Sequence, residues 1–361
     1  MEGDHWPHGS CDGAGGSLAR LRKRASEFFE SLPVAELARE AHRQLWLSDW
    51  LRVADDYRAF ARAAREDGLV RVAREAWLCS LTASEVARTL TCPGDLARTD
   101  LADQVSSPGD GIEDDLGETI ERLTIDCYDQ GSLTGFFVPA SPHQRPAPVV
   151  ICVSDENITL RSMMSRLLPA SLRRNISLLV IDPGNSSNGR RLKPEHMLQC
   201  WLDHLEARPD VDGQRIAIYG EGAGAGHAAR LALAERRIAA AVCDGGLSTS
   251  VVRRESIRWM TGFERAVRED GSTASLLPSR RLPCPLLMVV GSRSMLREED
   301  ALELQACYRQ ASADCSVVVP NCIPHPLGEV ENFVAVDDFI FEWLDSRLGA
   351  AARQIDSVVY L

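Results

Sequence analysis

The chain has 361 residues, an apolar fraction of 45% and a formal charge of −12 from 40 basic and 52 acidic residues. That acidic surplus argues against a broad nucleic-acid surface or an anionic-membrane footprint, and the length suits a core of roughly 200–250 residues with a smaller addition. No run of about 18 apolar residues occurs, which excludes an ordinary transmembrane helix.

Residues 1–16 are polar and glycine-rich, with no basic start leading into an apolar run, so a disordered tail is expected rather than a signal or transit peptide. Over residues 17–92 apolar side chains recur at three- and four-residue spacing, through Leu45, Leu47, Trp50, Leu51, Ala54 and Tyr57 to Phe60, Ala61 and Ala64. This predicts an all-helical cap with a turn at Gly68. Residues 93–117 are rich in Pro, Gly, Asp and Ser and read as a linker.

Residues 118–350 have a different texture. Glu121 to Asp129 and Ser132 to Val138 alternate apolar and polar residues around Asp129-Gln130-Gly131, as a β-hairpin does. Short apolar runs follow at Val149–Val153, Ser177–Ile181, Ile216–Tyr219, Ala239–Cys243, Leu286–Val290 and Val317–Val319. Such runs suit parallel strands buried on both faces. Between or after them lie amphipathic stretches at Pro194–Ala207, Ala223–Glu235, Glu298–Gln310 and Val336–Leu348, so the prediction is an α/β domain with a mostly parallel central sheet flanked by helices. Residues of about 250–270 read as a helical insertion, and 351–361 as a C-terminal tail.

The eleven cysteines, among them Cys79, Cys152, Cys200 and Cys243, show no CxxC pair, and we expect reduced thiols in a cytoplasmic protein. The eight histidines show no ligand spacing, so neither a metal nor another cofactor is expected.

Three segments carry chemistry. Gln214 to His227 is an apolar strand that ends in Gly220-Glu221-Gly222-Ala223-Gly224 and runs straight into a helix, the layout of a nucleophile elbow. The pattern G-x-S-x-G has serine at its centre; here the centre is Gly222. Dinucleotide binding by these glycines is disfavoured, because the strand lies late in the sheet and lacks the acidic residue about 20 positions on within a first βαβ unit. The strand Leu286–Val290 ends at Gly291, and an acid expected three residues later is replaced by Ser294. Glu298 and Asp300 lie near enough to be substitute acids, although at a helix start they also suit its dipole. Finally, His325 is expected in the loop after the last apolar strand, where the chain order nucleophile, acid, histidine places a base.

These features resemble the α/β-hydrolase superfamily and, within it, the FrsA-like branch of dihydroxypseudooxynicotine-hydrolase-like and polyketide-shortening-hydrolase-like proteins. The resemblance runs from about Leu45 to Leu348. It is carried by Trp50 and the helices through Leu90, by Leu133-Thr-Gly-Phe-Phe-Val-Pro139, Ile181-Asp-Pro-Gly184 and Arg208-Pro-Asp-Val-Asp-Gly-Gln-Arg-Ile216, and by His325-Pro-Leu with Asn332-Phe333. It implies a serine-acid-histidine triad beneath a helical cap, of which Gly222 and Ser294 are departures and His325 is retained. It further implies an oxyanion hole from the backbone amides of Ala223 and of the loop at Ser154 and Asp155.

Without a serine, a covalent acyl-enzyme is not available. Two expectations remain, besides a third of ordinary ester or carbon–carbon bond hydrolysis. In the first, His325 works as an acid or base on a small apolar, polyketide-like carbonyl compound held at the oxyanion site, giving cyclisation, elimination, proton transfer or cleavage by a bound water. In the second, the chain is an inactive pseudohydrolase that binds a ligand or a protein partner. Trp50, Tyr57 and Trp259 are expected to pack the cap and, where they face the cleft, to line the pocket. The expected partners are thus a carbonyl ligand and, left open, a homodimer or protein partner, with no nucleic acid and no membrane.

Overall fold

A computed structural model describes residues 17–37, 39–91, 120–127, 131–140, 146–154, 160–186, 194–245, 263–264, 277–278, 282–292, 294, 296–325, 328–349 and 359–360. The chain divides into two compact units: Met1–Ile120 with Arg161–Ala170 and Cys322–Asp338, and Glu121–Leu160 with Ser171–Asn321 and Phe339–Leu361. The tail over 1–16 and the linker over 93–117 lie outside the described residues.

The first unit is mainly helical: α1 Ser17–Glu30, α2 Val34–Leu37, α3 Glu40–Glu66 and α4 Val70–Thr89. α1 buries Leu18, Leu21, Ala25, Phe28 and Phe29, one apolar stripe at helical spacing. α3 returns into α4 through Gly68, whose φ of 73° suits a residue without Cβ. Across that hairpin the Ser80 hydroxyl donates to the Ala54 carbonyl at 2.8 Å, which satisfies a polar group buried between apolar faces.

The second unit is built on a nine-stranded sheet. Its strands are β1 Glu121–Cys127, β2 Gly131–Val138, β3 Ala147–Val153, β4 Ser177–Ser186, β5 Val211–Glu221, β6 Ile238–Asp244, β7 Leu286–Val289, β8 Cys315–Val319 and a final pair, Val359–Tyr360. Their spatial order is β1-β2-β4-β3-β5-β6-β7-β8 and then Val359–Tyr360. β1 and β2 form the expected antiparallel hairpin, with Cys127 opposite Gly131, and β2 runs antiparallel to β4. The remaining pairs are parallel. Every residue of β3 is buried, as a strand covered on both faces requires.

Helices α5 Leu160–Leu172, α6 Pro194–Glu206, α7 Ala223–Ala234, α8 Glu298–Gln310 and α9 Phe333–Leu348 alternate with the strands. Leu198, Trp201 and Leu205 of α6 and Ala225 and Ala228 of α7 share one core with Val149, Ile151, Ile216 and Ile218 of the sheet. Among the described residues, no helix is long and apolar enough to cross a membrane.

Four expectations change. Cys200 is not a free thiol, because it forms a disulfide with Cys127, 73 positions away, tying α6 to β1. Cys243, Cys284 and Cys315 are buried free thiols. The C-terminal tail contributes Val359 and Tyr360 to the sheet, beside Val318 and Val319. His325 is not in a loop: it ends a short strand, β9 Cys322–His325, paired antiparallel with β10 Gly328–Glu331 in the first unit. Of the insertion expected to be helical over 250–270, the described residues Phe263–Glu264 are extended and pair with Leu277–Pro278; the remainder lies outside the described residues.

The disulfide closes a long loop, and a cross-link of that kind typically contributes about 2–4 kcal/mol. Cys200→Ser is therefore expected to lower unfolding stability by that amount in urea titrations without reductant, and the gap should close in dithiothreitol. Equal stability in the absence of reductant would show that the bond does not form.

Candidate active site

The site begins where β5 runs out. Gly222, with φ 56° and ψ −121°, turns the chain sharply from β5 into α7. A Cβ on Gly220 would stand 2.2 Å from the Gly224 carbonyl oxygen, and one on Gly224 would stand 2.3 Å from the Val153 carbonyl oxygen. Both distances are far inside van der Waals contact, so strand and helix meet backbone to backbone and only glycine fits. The turn is held from the neighbouring strand, since the Gly222 amide donates to the Asp244 carbonyl at 2.9 Å, while the Gly222 carbonyl accepts from Ala225 at 3.2 Å.

Gly222 therefore occupies the elbow centre and offers no side chain. The thiol nearest by sequence register, Cys243, donates to the Ala225 carbonyl at 3.5 Å. Burial pushes this thiol up to about 12, with smaller contributions from Cys284 and Asp244, so it stays protonated near neutral pH and is no substitute nucleophile.

Ala223 is the exposed first residue of α7, and its amide is among those a helix leaves without an intrahelical acceptor. Ser154 is placed differently from expectation. It is buried, and both its amide, at 3.3 Å, and its hydroxyl, at 3.4 Å, donate to the carbonyl of Ile181, the last β4 residue paired with β3. Its amide thus extends the sheet and already has an acceptor in Ile181. Asp155 lies outside the described residues.

Ser294 closes a turn: its amide donates to the Gly291 carbonyl at 2.9 Å, and its Oγ meets both the Leu296 amide and the Leu296 carbonyl at 3.1 Å. Glu298 and Asp300 sit in the first turn of α8, where negative charge complements the helix dipole. Asp300 is buried and lies 3.3 Å from Arg297 Nε. Gly222, Ala223, Ser154 and Ser294 belong to the sheet unit and His325 to the other. Trp50 is buried in the helical unit with its ring 5.5 Å from that of Phe28, edge-on, and packs between α1 and α3. Tyr57 is half-buried on α3, and Trp259 lies outside the described residues.

A buried polar group that the sequence reading passed over adjoins the elbow. Glu221 and Asp244 end adjacent strands in register and are both fully buried. The Tyr219 hydroxyl bridges them, donating to Asp244 Oδ2 at 2.5 Å and lying 3.3 Å from Glu221 Oε2. A phenol has one hydrogen, so with that hydrogen on Asp244 the longer contact becomes a hydrogen bond when Glu221 carries a proton. The signal in the sequence was two apolar strands, Ala-Ile-Tyr-Gly-Glu and Ala-Val-Cys-Asp, each closing on an acid.

A sheet ordered β1-β2-β4-β3-β5-β6-β7-β8 with an antiparallel second strand, and a strand-turn-helix elbow after β5, defines the α/β-hydrolase fold. The FrsA-like esterase model matches residues 43–258, more than half of the chain, and the protein belongs to that family. The FrsA esterases of Yersinia pestis (strain Pestoides F) and Yersinia pseudotuberculosis (serotype O:1b) are each 32% identical over 136 residues, which is 36% of this chain. The match spans only 32% of those curated relatives. Among solved structures, 2,6-dihydroxy-pseudo-oxynicotine hydrolase superposes with a TM-score of 0.50 at 17% identity, covering 87% of this chain and 92% of that one, a likeness of fold.

Two substitutions test this geometry. Gly220→Ala forces backbone apart and is expected to cost about 3 kcal/mol or more. Tyr219→Phe removes the shared hydroxyl between two buried carboxyls and is expected to cost about 1–3 kcal/mol. Urea unfolding reads both, and wild-type midpoints would contradict the contacts described.

Proposed function

We propose that this FrsA-like protein is a repurposed enzyme that works without a covalent intermediate. A small apolar, polyketide-like carbonyl substrate sits with its oxygen at the Ala223 amide, and His325 acts as the acid or base. The reaction is cyclisation, elimination, proton transfer, or ester or carbon–carbon cleavage by a bound water. The observation that carries this reading is Gly222 at the elbow centre, where a positive φ keeps the α7 amides at the turn while position 222 carries no side chain. Support for His325 comes from chain order, after the last long strand and before the last helix. Support for the substrate class comes from the family resemblance alone.

A second reading, a ligand- or partner-binding pseudohydrolase, is favoured by the Ser154 amide, which is already bonded to Ile181 and leaves fewer donors to stabilise an oxyanion.

Purified protein and His325→Ala are to be compared on activated esters and on β-diketone or polyketide-like substrates. The catalytic reading expects turnover on at least one of them, lowered about a hundred- to ten-thousand-fold by the substitution. No turnover above background leaves the binding reading, and equal turnover above background removes His325 from the chemistry. Gly222→Ser combined with Ser294→Asp should introduce esterase activity with a burst of acyl-enzyme, if the remainder of the hydrolase site is intact.

A further inference from the structure

The pair Asn332-Phe333 marks the resemblance but plays no part in the function proposed above. In the structure it lies between β10 and α9, at the root of the hairpin that carries His325. Asn332 Oδ1 accepts the Ala335 amide at 3.2 Å and so caps α9. Its Nδ2 donates to Ser26 of α1, at 3.0 Å to Oγ and 3.2 Å to the carbonyl.

Phe333 lies edge-on to Phe29 of α1, with ring centroids 5.6 Å apart. One turn further along α9, the buried Arg22 of α1 donates through Nε to both carboxylate oxygens of Asp338 at 3.1 Å and through Nη2 to the Val334 carbonyl at 3.4 Å. Arg22, Ser26 and Phe29 are spaced four and three apart and so form one stripe of α1. All of these residues belong to the same compact unit.

Capping alone does not explain the asparagine, because Ser, Thr or Asp serves a helix start as well. Of these cap residues, Asn alone adds an NH2 donor, and Ser26 uses it. The Ser26 hydroxyl is itself committed as a donor to Glu30 Oε1 at 3.1 Å, so it faces Asn332 as an acceptor. The donor is therefore matched to its partner.

We infer that α1 is a positioning element for His325: through Ser26, Phe29 and Arg22 it grips Asn332, Phe333 and Asp338 and fixes the end of the β9–β10 hairpin. Asn332 and Arg22 are positioning residues. This inference rests on the reading of His325 as the working acid or base.

Asn332→Ser keeps the cap and deletes the donor; Arg22→Met keeps bulk and deletes the ion pair, and serves if the first variant fails to fold. The readouts are hydrogen exchange over residues 322–331, with β3 and β5 as internal references, and the NMR titration of the His325 imidazole. Exchange in the hairpin should quicken at least tenfold in both variants while β3 and β5 keep wild-type protection. The His325 titration midpoint should move, and turnover on any substrate found should fall through kcat more than KM.

Wild-type protection of the hairpin overturns the inference. So does faster exchange with an unmoved His325 titration, which reduces the grip to structure. If both readouts move but His325→Ala leaves turnover unchanged, the grip stands and the catalytic reading fails.

Discussion

The structure depends on a close approach of backbones at the elbow. Two glycines, Gly220 and Gly224, have no room for a Cβ, so the end of β5, the first turn of α7 and the end of β3 are pressed together main chain to main chain. That packing sets where α7 begins and hence where the Ala223 amide lies. The bond from Gly222 to the Asp244 carbonyl then fixes the turn against the next strand. None of these contacts involves a side chain at position 222. The turn is a property of the fold first, and a nucleophile is something the fold can carry or lack.

Much of this was legible because burial on two faces needs unbroken apolar runs and burial on one face needs alternation. β3, β5 and β6 announce themselves in the first way and the β1–β2 hairpin in the second. What was not legible depends on partners distant in sequence. Cys127 and Cys200 are separated by 73 positions, and neither an odd cysteine count nor the lack of CxxC says which two will meet. Val359 and Tyr360 read as a tail because two residues are too short for a period, yet β8 offers them an open edge. α5 was passed over because Pro169 interrupts its pattern. His325 read as a loop residue because Pro324 and Pro326 flank it; a short two-stranded ribbon tolerates proline where a central strand does not.

The elbow turn was legible in its position, and the residues singled out around it less so in their engagements. Chain order points to Gly222, Ser294 and His325; of these, Gly222 is the residue at the turn from β5 into α7. That the Ser154 amide is taken by Ile181, and that Ser294 spends its hydroxyl on Leu296, follow only from the register of β3 with β4 and from a turn closed over three residues. The Tyr219, Glu221 and Asp244 group needed register too, since Glu221 and Asp244 meet only because β5 and β6 pair in parallel with their ends level.

Strain gives the elbow a further asymmetry. Any side chain at position 222 must adopt the positive φ of 56°, a conformation that typically costs a non-glycine residue about 1–3 kcal/mol, whereas glycine takes it without steric penalty. A catalytic serine at such a turn is held there by its surroundings, here the Gly220 and Gly224 contacts and the Asp244 carbonyl. With glycine the same surroundings have nothing to overcome, so the turn retains its shape with strain removed. The geometry that presents the Ala223 amide is then more secure without the serine than with it. Glycine is consequently the relaxed occupant of this turn, and the turn keeps its shape with no side chain at position 222.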